Sequence, residues 1–158
     1  GGDGLDVNGA IEMTGGVVLV NGPTNDGNGA LDYDAGFNLT GGFFAAAGSA
    51  GMAQAPGTNS SQNSVAIFFN GAQPGGTLVS IKNSTGEDLL TFVPTKQFQS
   101  LVFSSPGLVQ GDAIEIYYGG SASDRLDSGL YQGAYTPGEQ LASFTVSDVV
   151  TVIGNRRR

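Results

Sequence analysis

The feature that most constrains this chain is an internal repeat. The stretch Gly4-Leu5-Asp6-Val7-Asn8-Gly9-Ala10-Ile11-Glu12-Met13-Thr14-Gly15-Gly16-Val17-Val18-Leu19-Val20-Asn21-Gly22, shifted by 26 positions, lies without a gap on Ala30 to Gly48. Leu5 falls on Leu31, Asp6 on Asp32, Asn8 on Asp34, Ile11 on Phe37, Met13 on Leu39, Thr14-Gly15-Gly16 on Thr40-Gly41-Gly42, and Gly22 on Gly48. A period in the twenties, made of short apolar alternations broken by glycine, is the pattern of one β-solenoid coil. Alternation points Leu5 and Val7 one way and Asp6 and Asn8 the other; the next coil sets Leu31 and Tyr33 inward, with Asp32 and Asp34 outward beside Asp6 and Asn8. Ile11 and Met13 continue the interior, stacked on Phe37 and Leu39. The paired glycines supply a corner, and Val17 to Val20 and Phe43 to Ala46 form a third face. Three short faces per coil describe a parallel β-helix, here of two coils.

Two coils are few. A solenoid buries its cross-section by stacking, and about three or more repeats are the usual minimum. A first rung starting near residue 3 leaves unpaired backbone and an open apolar end, so a cover is expected: upstream coils, a neighbouring subunit, or a cap from the C-terminal half.

The rest of the chain reads as all-β. It has 158 residues, enough for a real core, with 27 glycines and no segment of helical period. Residues 1–48 form the coils and residues 49–63, small and polar, a connector that leaves the repeat. Residues 64–158 form a small antiparallel sheet or sandwich packed on the helix end. Strands are expected at 65–69, 77–82, 89–93, 100–104, 113–118 and 143–152, and a long surface loop at 119–140. Phe37, Phe43, Phe44, Phe68, Phe69, Phe92 and Phe103 are expected in the core. Cysteine is absent, so disulfides contribute nothing. No apolar run approaches a membrane span, and no signal peptide is present in this sequence.

Charge narrows the function. The net charge is −8, and residues 1–81 contain the acids Asp3, Asp6, Glu12, Asp26, Asp32 and Asp34 with no Lys or Arg. This argues against nucleic acid, which needs phosphate neutralisation, and against anionic membranes. Arg156-Arg157-Arg158 reads as a solvated tail. Stacked strands lie about 4.8 Å apart, and outward residues on one strand repeat about every 6.6 Å. Asp6, Asn8, Asp32 and Asp34 therefore mark an oxygen-lined rectangle whose rim Asp3, Asp26 and Asn28 can close. Carboxylates at that separation repel by about 1 kcal/mol in water and roughly 3 to 4 at a protein surface. Ca²⁺ compensates, since it accepts about 6 to 8 oxygens and can bridge two rungs. Without His or Cys, zinc and copper fit poorly. Asp and Asn beside Gly are also ordinary turn formers; recurrence in register on an outward face is what favours calcium.

These residues resemble a known family. Gly2-Asp3-Gly4-Leu5-Asp6-Val7-Asn8-Gly9, Val20-Asn21-Gly22-Pro23, Gly27-Asn28-Gly29-Ala30-Leu31-Asp32-Tyr33-Asp34 and Gly51-Met52-Ala53-Gln54-Ala55-Pro56 are similar to the C-terminal part of secreted bacterial carbohydrate-binding domains. Leu101 to Pro106, Gly129-Leu130-Tyr131, Tyr135 to Gly138 and Phe144-Thr145-Val146 fit the same pattern. The resemblance implies a right-handed parallel β-helix like that of polysaccharide lyases, calcium between coils, and binding of plant cell-wall polysaccharide, cellulose or pectin-like. The metal positions it implies are Asp3, Asp6, Asn28, Asp32 and Asp34, with Asn8 beside them. Family members carry further coils upstream, and the triple arginine is foreign to the pattern.

Three function classes compete. Catalysis is not expected: there is no His, and Lys82, Lys96 and Arg125 are remote in sequence from the acidic rungs, so a general base is missing. A binding module would use calcium for acidic chains and exposed aromatics for sugar rings, with Tyr117, Tyr118, Tyr131 and Tyr135 as candidates; the same rings also serve sheet packing. A structural subunit is the alternative, since an open coil end can stack on a second copy and build a filament. The expectation is a non-catalytic, calcium-stabilised, secreted or cell-surface polysaccharide binder.

Overall fold

A computed structural model describes residues 5–7, 10–21, 31–33, 36–48, 56–57, 60–94, 96–123 and 135–154, and the backbone alone for 5–7, 21, 31–33, 70, 135, 137 and 142. Eleven strands and no helix are found among them: β1 (Leu5–Val7), β2 (Ala10–Asn21), β3 (Leu31–Tyr33), β4 (Gly36–Gly48), β5 (Ser64–Gln73), β6 (Val79–Asn83), β7 (Asp88–Phe92), β8 (Phe98–Ser104), β9 (Ala113–Ala122), β10 (Tyr135–Thr145) and β11 (Val150–Ile153). They form three sheets, ordered β1-β3, β10-β9-β6-β7 and β11-β5-β8-β4-β2. The chain is all-β, with mixed and antiparallel sheets.

The 26-residue offset reappears as parallel pairing. Leu5, Asp6 and Val7 face Leu31, Asp32 and Tyr33. Ile11 faces Phe37, Met13 faces Leu39, and Val17 to Val20 face Phe43 to Ala46. Two details differ from the expected coil. The corner at Gly15-Gly16 and Gly41-Gly42 does not end a strand; β2 and β4 pass through it with only a local register shift, because Gly16 and Gly42 take φ of 82° and 98°, where other residues are strained. Each copy of the repeat thus has two strands rather than the three faces expected. The parallel stacking also stops after two rungs, since the second limb of β4 pairs antiparallel with β8. The expected β-helix is not found among the described residues, whose three sheets are open.

The first limb of β4 gains a third rung from the connector. The Gly57 amide donates to the Phe37 carbonyl at 2.7 Å and the Gln62 amide to the Leu39 carbonyl at 3.1 Å. Ser60 Oγ accepts from the Leu39 amide at 2.9 Å and donates to the Phe37 carbonyl at 3.2 Å. A small hydroxyl residue here completes backbone hydrogen bonding that a bulky side chain would leave unmet.

Strands β5 and β8 and the second limb of β4, the centre of the five-stranded sheet, are buried on both faces, and strand alternation divides their side chains. Ala45, Ala47, Val65, Ile67, Leu101 and Phe103 pack against Val79, Ile81, Leu90, Phe92, Ile114 and Ile116 of the four-stranded sheet. From the other face Phe44, Ala46, Ala66, Phe68 and Val102 meet Met13, Phe37 and Leu39. The latter three lie on the first limbs of β2 and β4, which fold over at the glycine corners. Phe37 and Phe44 close this second core edge to face, with ring centroids 5.4 Å apart, a favoured aromatic geometry. Of the seven phenylalanines expected inside, six are buried and Phe43 is half-buried against Phe103.

Residues 119–122 and 135–140, expected in a long surface loop, are strand. β9 runs on to Ala122 and pairs antiparallel with β10 from Tyr135. Gly119 and Gly120, at φ of 77° and 78°, let the ladder twist, and Pro137 is tolerated because β10 is an edge strand. The single strand expected over 143–152 is two, the end of β10 and β11.

Candidate functional site

The parallel coils place one acidic pair in register. Asp6 and Asp32 are direct partners in the β1–β3 ladder, and residues at one register position share a face, with strands about 4.8 Å apart. The oxygen donors Asp3, Asn8, Asn28 and Asp34 lie outside the described residues. Among the described residues no group of three or more His, Cys, Asp or Glu comes together.

The tyrosines are not one platform. Tyr117 and Tyr118 are successive residues of β9 and lie on opposite faces of the sheet. Tyr118 packs its ring against Phe69, centroids 6.1 Å apart and edge to face. Its hydroxyl donates to Glu139 Oε2 at 2.8 Å, and this bond, then the carboxylate's charge, raises the phenol pKa above its ordinary value. Tyr117 donates to Glu115 Oε2 at 3.2 Å, and Gln140 Nε2 donates to the same oxygen at 3.3 Å. Tyr135 opens β10 opposite Ala122, and Tyr131 lies outside the described residues.

A polar groove crosses the coil face away from these tyrosines. On the first limbs, Ile11, Met13, Phe37 and Leu39 alternate with the exposed Glu12, Thr14, Asn38 and Thr40. Glu12 is the register partner of Asn38. These four exposed residues line a recess of about 180 Å³. Thr40 also lines a second recess of about 240 Å³, formed with Ser61, Gln62 and Asn63 of the third rung and with Pro106 and Leu108. The two recesses share Thr40 as a lining residue.

The floor of this groove is tied down. Thr40 Oγ1 donates to the Met13 carbonyl at 3.3 Å. Gln62 Nε2 donates to the Gly42 carbonyl at 2.8 Å and to Ser104 Oγ at 3.0 Å. Asn63 Nδ2 donates to the Leu108 carbonyl at 2.8 Å. By contrast, Glu12, Thr14, Asn38 and Ser61 have no side-chain hydrogen-bond partner among the described residues. Sequence reasoning passed over this groove. The available signal was Glu12-x-Thr14 recurring as Asn38-x-Thr40 under the same 26-residue shift.

No family model, curated protein or solved structure matches the chain.

Proposed function

We propose that this chain is a non-catalytic extracellular module that binds plant cell-wall or acidic polysaccharide, and that its two repeats act as a short right-handed parallel β-helix stabilised by calcium between rungs. The observation that carries this reading is the register of Asp6 on Asp32 in a parallel ladder. Two carboxylates repeated on consecutive coils repel, and the sequence offers no base in residues 1–81 to offset them. The donor set fits calcium in kind, being oxygen only: Asp6 and Asp32, joined by Asp3, Asn8, Asn28 and Asp34, would hold the ion. Bound there, Ca²⁺ would neutralise the rungs and offer a positive centre to a uronate chain.

The test is a thermal melt with calcium and with EGTA, paired with sedimentation of the protein on cellulose and on calcium-free pectin. A site filled at 100 times its dissociation constant adds about 2.7 kcal/mol, so EGTA is expected to lower the transition by several degrees. An unmoved transition would remove calcium from the reading, and absence from both pellets would remove polysaccharide.

The alternative reading is a self-assembling structural subunit. It is favoured by β2, the outermost strand of the five-stranded sheet, where Val17 is 64% exposed. A Cβ built at Gly15 or Gly16 meets nothing within 4 Å, whereas one at Gly42 comes within 2.8 Å of the Gly16 carbonyl oxygen. The outer corner thus has room for a further rung. Negative-stain microscopy separates the two readings: filaments support assembly, and a monodisperse monomer that sediments with polysaccharide excludes it.

A further inference from the structure

We propose that the groove through Glu12, Thr14, Asn38, Thr40 and Ser61 is a cleft for a neutral, hydroxyl-rich glycan chain lying across the rungs; this deepens the polysaccharide-binding reading and rests on it. Three observations converge. The first is chemical supply: one carboxylate, three carboxamides and three hydroxyls line the two recesses; Gln62, Asn63 and Thr40 bond to the protein, which leaves Glu12, Asn38, Thr14 and Ser61 without a side-chain partner among the described residues. A carboxylate accepts from two neighbouring hydroxyls at once, and a carboxamide both donates and accepts. Vicinal diols of a sugar match that pairing.

The second observation is charge. Neither recess is lined by a Lys or Arg, and Glu12 is the one ionisable group in them. An anionic chain would meet repulsion here without compensation, so a neutral sugar fits and a uronate does not. Any acidic chain this protein binds would be held at the aspartate rungs through calcium, separate from the groove.

The third observation is shape and stiffness. Recesses of about 180 and 240 Å³ are smaller than the roughly 300–1,000 Å³ of sites that engulf a compact ligand. Neighbouring one another on either side of Thr40, they suit a chain that lies along a surface. The residues sit on paired strands and beside Gln62 and Asn63, whose side chains are already hydrogen-bonded to backbone, so little ordering is left to be done on binding. Exposed Pro106 adds an apolar rim against which the C–H face of a sugar ring can rest.

The experiment is isothermal titration of the full chain in calcium buffer with cellohexaose, and in parallel with hexagalacturonate. Wild type is expected to bind cellohexaose, and Glu12→Ala with Asn38→Ala to weaken it about tenfold or more. Both positions are exposed, so the melting temperature of the double variant should match wild type. A second variant, Thr14→Val, should also weaken binding, and Tyr117→Ala should not. If wild type binds cellohexaose and the groove variants bind equally well while Tyr117→Ala fails, the groove is overturned and the polysaccharide reading stands. If wild type binds hexagalacturonate alone, the neutral assignment is overturned. If neither oligosaccharide nor any insoluble polysaccharide binds, both readings fall together.

Discussion

The two cores on either side of the five-stranded sheet differ in how they are closed. The sandwich core lies between two sheets, and Phe92, Phe98 and Phe103 in it are at most 1% exposed. The coil core is smaller and is roofed by the folded-over limbs of β2 and β4, with Ile11 and Val18 only partly buried at its margin. One core is sealed by its own layers; the other depends on the outermost rung. The lesson is that a shared sheet does not share out stability evenly. The strands that carry the candidate site belong to the less enclosed side, where local opening costs less than global unfolding.

The largest expected effect comes from testing this difference directly. Phe103→Ala should cost about 3 to 5 kcal/mol, while Met13→Ala should cost about 2, the low end for its class, because a site near an open margin relaxes more easily. Denaturant melts of both variants check it, and equal losses would break the comparison. Next come the corner glycines, which are equivalent by the repeat but not by environment. Gly42→Ala forces a left-handed φ and sets a Cβ 2.7 Å from the Gly15 carbonyl carbon, for a loss of about 3 kcal/mol; Gly16→Ala carries only the conformational cost, about 1 kcal/mol. Urea titration of the pair tests whether the second corner is the more tightly stacked.

Smaller effects sit on the four-stranded sheet. Lys82 Nζ meets Asp88 Oδ1 at 2.7 Å, with both side chains partly exposed; Lys82→Ala should cost no more than about 0.5–1 kcal/mol and less in high salt. The smallest effect belongs to Tyr118. Its pKa is raised from 10.0 in the folded chain, so its contribution is held in full below the unfolded phenol's range and is lost as pH rises through the folded value. Alkaline absorbance titration should show one of the five tyrosines ionising late, and Tyr118→Phe should remove that step.

The coil register was legible because a repeat is its own evidence: Leu5 finding Leu31 and Ile11 finding Phe37 need nothing beyond the offset. The antiparallel partner of β4 was not, since β8 begins 50 residues after Gly48 and resembles no part of the repeat. Nor was the β9–β10 ladder through Gly119 and Gly120, where composition favours a loop and tertiary pairing prevails. The groove was hidden for a different reason. Glu12, Asn38 and Thr40 look like any solvated strand face until Ser60 and Gln62 bring the connector alongside β4.

One consequence follows from the double-sided sheet. Phe44 and Ala46 belong to one interior, Ala45 and Ala47 to the other. Deleting a single residue from this strand would trade their destinations, thrusting a phenyl ring where a methyl sits and leaving a void where the ring had been. Length changes in β4 can therefore be accommodated only in twos, a parity restriction that an ordinary strand with one wet face obeys far less strictly.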